Sequence, residues 1–282
     1  MRRGTFPNVI AAISGWLLLA VGPAAAQSRP DLQGFWGEGD GGANGTNIET
    51  GFQTADTLRV QGWTDAQLAA RKPVSAIVDP ADGKIPYQPW AAARREEILA
   101  RYGGDNITGR PETLRDVNPD LFCMLGMPRL AYWQDFQIVQ TPGYIVMLWE
   151  RTHAFRVIRL DDSAPPLPAR VATFMGDSRG RWEGNTLVVE TRNLRDWTWF
   201  DSKGAFHSDR LTLVERWEPI DRNTIRLRMT ADDPGVLTRA FTMEWRLERQ
   251  HADDPGYELL EYACVEGERA LESILAQPHT GR

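Results

Sequence analysis

The chain has 282 residues, a formal net charge of −6 with both signs mixed along it, 25 glycines, 18 prolines, 11 tryptophans, two cysteines and four histidines. That length suits one large domain or two small ones, and no basic face advertises nucleic acid. Two cysteines and four unclustered histidines argue against a structural zinc site. No glycine-rich phosphate loop follows a strand and opens a helix, and nothing in the sequence calls for a nucleotide, haem or metal cofactor.

Arg2 and Arg3, a mostly apolar run over 10–21 and then Ala24-Ala25-Ala26 follow the order of a secretory signal, with cleavage after Ala26. The apolar core is shorter than the ~20 residues of a bilayer span. The mature chain, from about Gln27, is therefore expected in the periplasm or outside the cell, with no membrane span. A short strand is predicted at 31–36 and a loop rich in Gly, Asn and Asp at 37–47. Thr64 is placed to cap a helix over 64–72, with Asp65 and Gln67 in its first turn, and Pro89 to open a helix over 90–101 that Gly103 and Gly104 stop. Asp79-Pro80-Ala81-Asp82-Gly83 reads as a turn, and 104–135, broken by Pro111, Pro119 and Pro128, as irregular structure.

From Phe136 the pattern changes to strands, at 137–140, 144–150, 153–160, 187–191, 211–217, 224–230, 241–249 and 257–263. The turn clusters Asp221-Arg222-Asn223, Asp232-Asp233-Pro234-Gly235 and Asp253-Asp254-Pro255-Gly256 separate the last of them. Ile225, Leu227 and Met229 share one strand face and Arg226 and Arg228 the other. Phe241, Met243, Trp245 and Leu247 alternate with Thr242, Glu244, Arg246 and Glu248. Such a series reads as an antiparallel meander. Closing it into a barrel removes its edges, a two-sheet sandwich being the alternative. The division expected is a signal at 1–26, an irregular and helical part over 27–135 packed on the barrel, and the barrel over 136–282 with a short terminal helix at 266–275.

The string Gly176-Asp177-Ser178-Arg179-Gly180-Arg181-Trp182-Glu183-Gly184-Asn185-Thr186-Leu187-Val188-Val189-Glu190-Thr191 begins with a Gly-Asp-Ser that marks the nucleophile of some esterases. Those enzymes set the serine after a buried parallel strand, with a helix following and a distant Asp-x-x-His supplying the base. Here a strand follows and no Asp-x-x-His occurs. Ser178 is accordingly read as a turn residue, with Asp177 or Ser178 bonding nearby backbone N–H groups and a second tight turn at Glu183-Gly184-Asn185, and a serine hydrolase through Ser178 is the outside reading. The whole string resembles the signature of a large family of exported, mostly uncharacterised bacterial proteins. Pro30-Asp31-Leu32-Gln33-Gly34-Phe35-Trp36, Phe136-Gln137-Ile138-Val139-Gln140-Thr141-Pro142-Gly143, Glu150 through Arg156-Val157-Ile158, His207-Ser208-Asp209 and Glu215-Arg216 match it as well. The resemblance spans nearly the whole mature chain and implies export, but no shared activity. Where relatives end in Cys-His-Glu-Gly-Asn, this chain has Cys264-Val265-Glu266-Gly267-Glu268, so a role for that histidine is absent here. Gly34-Phe35-Trp36 is also similar to the Gly-x-Trp that opens calycin and lipocalin-like barrels, which implies a mainly β, calycin-like fold.

Candidate chemistry gathers at few places. Glu150 and His153 flank a turn between two predicted strands, where a carboxylate and an imidazole serve either as acid and base or as a cross-strand polar pair. Arg156 falls on the strand face opposite His153 unless a bulge intervenes. His207 and Asp209 are further acid–base candidates, against a capped-turn reading of His207-Ser208-Asp209. Asp177, Arg179 and Trp182 in the signature, with Arg156, Trp197 and Trp199, are candidate ligand contacts. The aromatic loop 197–200 either lines a pocket or plugs a barrel end, and Asp177, Arg179 and Glu183 read first as a salt-bridged turn network, with an arginine holding a ligand carboxylate or phenolate as the sharper alternative. Cys123 and Cys264 are expected to pair in an oxidising compartment. The expectation is an exported small-molecule enzyme of lyase or isomerase type. It would act on an aromatic or lipophilic compound by cofactor-free acid–base chemistry. The alternative is a non-catalytic carrier for a lipophilic molecule.

Overall fold

The computed structural model describes residues 29–38, 47–50, 64–70, 75–102, 114–124, 126–129, 135–161, 165–260, 262 and 264. The segment expected to be a signal and the helix expected at 266–275 lie outside them. The strands are β1 (Gly34–Glu38), β2 (Ile77–Asp79), β3 (Phe136–Gln140), β4 (Tyr144–Trp149), β5 (Phe155–Arg159), β6 (Asp177–Glu183), β7 (Thr186–Arg192), β8 (Thr212–Asp221), β9 (Thr224–Asp232) and β10 (Phe241–Arg249). Among the described residues, two helices, α1 (Asp65–Ala70) and α2 (Pro89–Tyr102), and two short 3₁₀ turns precede β3. Thr64 and Gln67 cap α1 reciprocally. The Gln67 N–H donates to Thr64 Oγ1 at 3.2 Å and the Thr64 N–H to Gln67 Oε1 at 2.8 Å.

The strands close into a barrel in the order β1-β3-β4-β5-β6-β7-β8-β9-β10, with β10 pairing back onto β1. The fold is mainly β and of calycin-like kind. β1 covers β10 from Leu247 to Arg249, and β2 takes the same edge further down, at Thr242 and Met243. Nine strands cannot alternate in direction all the way round a ring, so one pair must be parallel. It is β5 with β6, joined only at Ile158↔Ser178 and Arg159↔Arg179. The expected all-antiparallel meander is corrected at this seam.

Two further expectations change. Asp177 and Ser178, read as turn residues, lie in strand β6, while the turn expected at Glu183-Gly184-Asn185 is the β6–β7 hairpin turn, with φ of +60° at Gly184. The inward residues of β6 are Ser178, Gly180 and Trp182, which lack the apolar signature of a buried strand face. Among the described residues of 257–263 the expected strand does not form. Among the described residues only an isolated bridge joins Tyr262 to Arg151. β10 already has partners on both sides, so the chain finds no edge to extend and crosses the outside of the wall instead.

Inward positions carry Trp36, Trp149, Trp217, Trp245, Phe136, Phe241, Met229 and Leu227, all buried, so side chains fill the barrel. The Arg249 guanidinium lies over the Trp36 ring, 4.4 Å from its centroid. Strand directions separate the two ends. One end has the tight turns after β3, β6 and β8, and the other the long loops 193–211 and 233–240 with the β4–β5 turn. The N-terminal elements clamp the loop end. Tyr87 Oη donates to the Phe206 carbonyl at 2.6 Å and its ring stacks on Phe206. From α2, Arg95 reaches Glu49 at 2.7 Å and Asp201 at 3.5 Å, and Asp201 accepts from the backbone N–H groups of Lys203 and Ala205.

Candidate functional site

The structure separates the sequence candidates into four places. Inside the barrel, Arg156 is 1 % exposed and its guanidinium is spent on its neighbours. Nε donates to Ser178 Oγ at 3.0 Å, Nη2 to Thr191 Oγ1 at 2.9 Å and Nη1 to both oxygens of Glu215 at 3.2 and 2.9 Å. Trp217 Nε1 also donates to Glu215, and the Ser178 and Thr191 hydroxyls lie 3.0 Å apart. These residues come from β5, β6, β7 and β8, so the network binds the parallel seam where the ladder is shortest. Ser178 meets an arginine and a threonine, neither of them a base, which removes the arrangement a serine nucleophile needs.

At the loop end, His207 is buried. Its Nδ1 faces the Ser208 carbonyl at 2.8 Å and therefore carries the proton, while Nε2 lies 2.8 Å from the Thr198 hydroxyl, itself 2.7 Å from the Met127 carbonyl. Burial holds this imidazole below its ordinary pKa, against the opposing pull of the Ser208 carbonyl and of Asp233, Asp196 and Asp209. Trp199 and Phe200 are buried beside it, Phe200 packing edge-on to Phe241 at 5.3 Å, so the aromatic loop plugs the barrel. Trp197 stays half-exposed between Arg115 and Arg195, and Asp209 is exposed.

On the outer face of β6 and β7, Asp177 and Arg179 pair at 3.3 Å and line a cavity of about 330 Å³ with Arg181, Glu190 and Arg192. Trp182 takes an inward, half-buried position at the turn end of β6.

The fourth place holds Glu150 and His153. Leaving β10, the chain descends the outer wall across β1, β3 and β4. The Gln250 N–H donates to the Phe35 carbonyl at 2.9 Å and the Tyr257 ring meets Phe35 edge-on at 4.8 Å. Lower down, Glu150 Oε1 accepts from the Leu260 N–H at 2.6 Å and from Tyr257 Oη at 3.4 Å. Arg151 stacks over Tyr262, 5.4 Å from its centroid, and Cys264 pairs with Cys123 across a sequence separation of 141, as expected. Between this strap and the wall opens a cleft of about 640 Å³. Phe35, Leu148, Glu150, His153, Phe155 and Leu260 are among its lining residues. Phe155 is 60 % and Leu260 73 % exposed.

His153 reaches the cleft rim because the β4–β5 turn takes Thr152 and His153 through the left-handed region, with φ of 60° and 50°. That backbone is costly for side chains with a Cβ and most of all for a β-branched one. Burial, with the charges of Glu150 and Asp135, raises the Tyr257 phenol above its ordinary pKa. Burial also raises the Asp135 carboxyl, with Glu150 adding to it and His251 opposing.

Thus Glu150 and His153 meet in one cleft, His207 and Asp209 stand apart from it, and Arg156 is sealed inside the wall. Sequence reasoning missed Phe35, Leu148, Phe155 and the strap 257–260. Their signal was apolar residues at outward positions of β1, β4 and β5, where β8 to β10 carry charge. No family model, curated protein or solved structure matches the chain.

Proposed function

We propose that this is an exported binding protein for a small aromatic or lipophilic molecule, held in the outer-wall cleft beneath the strap. The observation that carries the reading is the cleft itself. About 640 Å³ falls within the range of small-molecule sites, and the lining sets apolar residues such as Leu148, Phe155 and Leu260 beside polar ones such as Glu150 and His153. Two large apolar side chains left open in one cleft, Phe155 and Leu260, also mark a binding surface. The disulfide suits the oxidising compartment that the signal-like N-terminus implies.

Acid–base turnover of lyase or isomerase type is the second reading, favoured by Glu150 and His153 lining the same cleft. It ranks second because the Glu150 carboxylate already serves the strap backbone.

The test titrates aromatic and lipophilic compounds against tryptophan fluorescence, Trp149 being at the cleft, and recovers each compound for mass spectrometry. Binding with compounds returned intact, weakened about tenfold by Phe155→Asp, is the expected result. A chemical change lost in His153→Ala would promote the second reading. Binding insensitive to Phe155→Asp, or no binding at all, would overturn the proposal.

A further inference from the structure

The full charges that line the cleft are negative. Glu150 and Glu258 line it, His153 is the other titratable side chain besides Tyr257, and among the described residues neither lysine nor arginine lines it. Arg151, next to Glu150 in sequence, is turned onto the Tyr262 ring, and Arg156 is enclosed in the barrel by its pair with Glu215. The cavity on β6 and β7 is the opposite case, with Arg179, Arg181 and Arg192 against Asp177 and Glu190. The negative field at the cleft is felt by its neighbours, since the charge of Glu150 helps to raise both the Tyr257 phenol and the Asp135 carboxyl. Phe35 and Phe155 add aromatic rings, whose faces attract cations; one face of the Tyr257 ring is covered by His251, stacked on it at 3.4 Å.

We infer that the cleft selects an organic cation with an apolar body, an amine or quaternary ammonium carried on an aromatic or alkyl group. The apolar part lies against Leu148, Phe155 and Leu260, and the cationic head lies among Glu150, Glu258 and the aromatic rings. A neutral compound of the same shape gains only the apolar contacts. An anion meets two carboxylates and is rejected. This inference rests on the cleft being the ligand site.

The experiment compares three probes with one body and three charges: 4-phenylbutylamine, 4-phenylbutanol and 4-phenylbutyrate, titrated calorimetrically into the full protein. The amine is expected to bind about tenfold more tightly than the alcohol, and the carboxylate most weakly. Added salt should narrow the gap. Glu258→Gln, a change at an exposed position, should weaken the amine severalfold and leave the alcohol unchanged. Equal affinities for amine and alcohol, or a preference for the carboxylate, would overturn the charge selection while leaving the binding site intact. Failure of all three to bind would overturn the site along with it.

Discussion

Arg156 donates to side chains on three other strands, and removing it leaves the Glu215 carboxylate charged in the barrel interior. Breaking a buried pair by deleting one partner destabilises by about 3–5 kcal/mol, whereas exchanging both for apolar residues of similar volume is often nearly neutral. Arg156→Met should therefore lower stability by an amount in that range in urea unfolding, and Arg156→Met/Glu215→Leu should recover most of it. Losses that simply add would mean the two charges act independently. Glu38 has the opposite character. It sits on the inward side of β1 at the loop end, its Oε1 is buried without a hydrogen-bond partner, and burial pushes its carboxyl from 4.5 up to about 7. Between those values the folded state keeps a proton that the unfolded chain has released, so stability is full below pH 4.5 and falls as pH rises through 7. Glu38→Gln should flatten that decline and exceed the parent by about 2–3 kcal/mol above pH 7. Unfolding midpoints at acidic and alkaline pH provide the check, and an unchanged slope in the variant would locate the effect elsewhere.

Among the elements, β6 is the least expected. Its outward residues, Asp177, Arg179, Arg181 and Glu183, are charged, and its inward ones include Ser178 and Gly180, so no apolar face betrayed it. Burial of Ser178 becomes legible only through Arg156, two strands' worth of chain earlier. β8, β9 and β10 were readable because their charged outward faces alternate cleanly with Ile225, Leu227, Trp245 and Leu247. The chain enters β6 at Gly176, with φ of +68°, where an added Cβ would lie 2.6 Å from the Arg192 carbonyl oxygen. Gly176→Ala combines a left-handed backbone with a clash against main chain, so it should cost about 2–4 kcal/mol by thermal or urea unfolding. A neutral outcome would mean that the entry to β6 is free to shift.

Across the whole molecule, barrel closure and the disulfide were legible, while the cleft was not. Phe35, Leu148 and Phe155 look like core residues until strand pairing shows which side faces out, and Leu260 becomes a cleft wall only because closure denies its segment an edge. Cys123 and Cys264 hold the lower end of that strap to the N-terminal part. Replacing both with serine should lower stability by about 2–4 kcal/mol and weaken cleft ligands as the Leu260 wall loosens. An unchanged unfolding midpoint would count against this role.

The most direct test of the outer-wall site is a methyl-labelled NMR titration with 4-phenylbutylamine. Resonances of Leu148, Leu259 and Leu260 should move, while those of Leu213, Leu227 and Met229 inside the barrel stay in place. Movement of the interior methyls with the cleft methyls unperturbed would contradict the account.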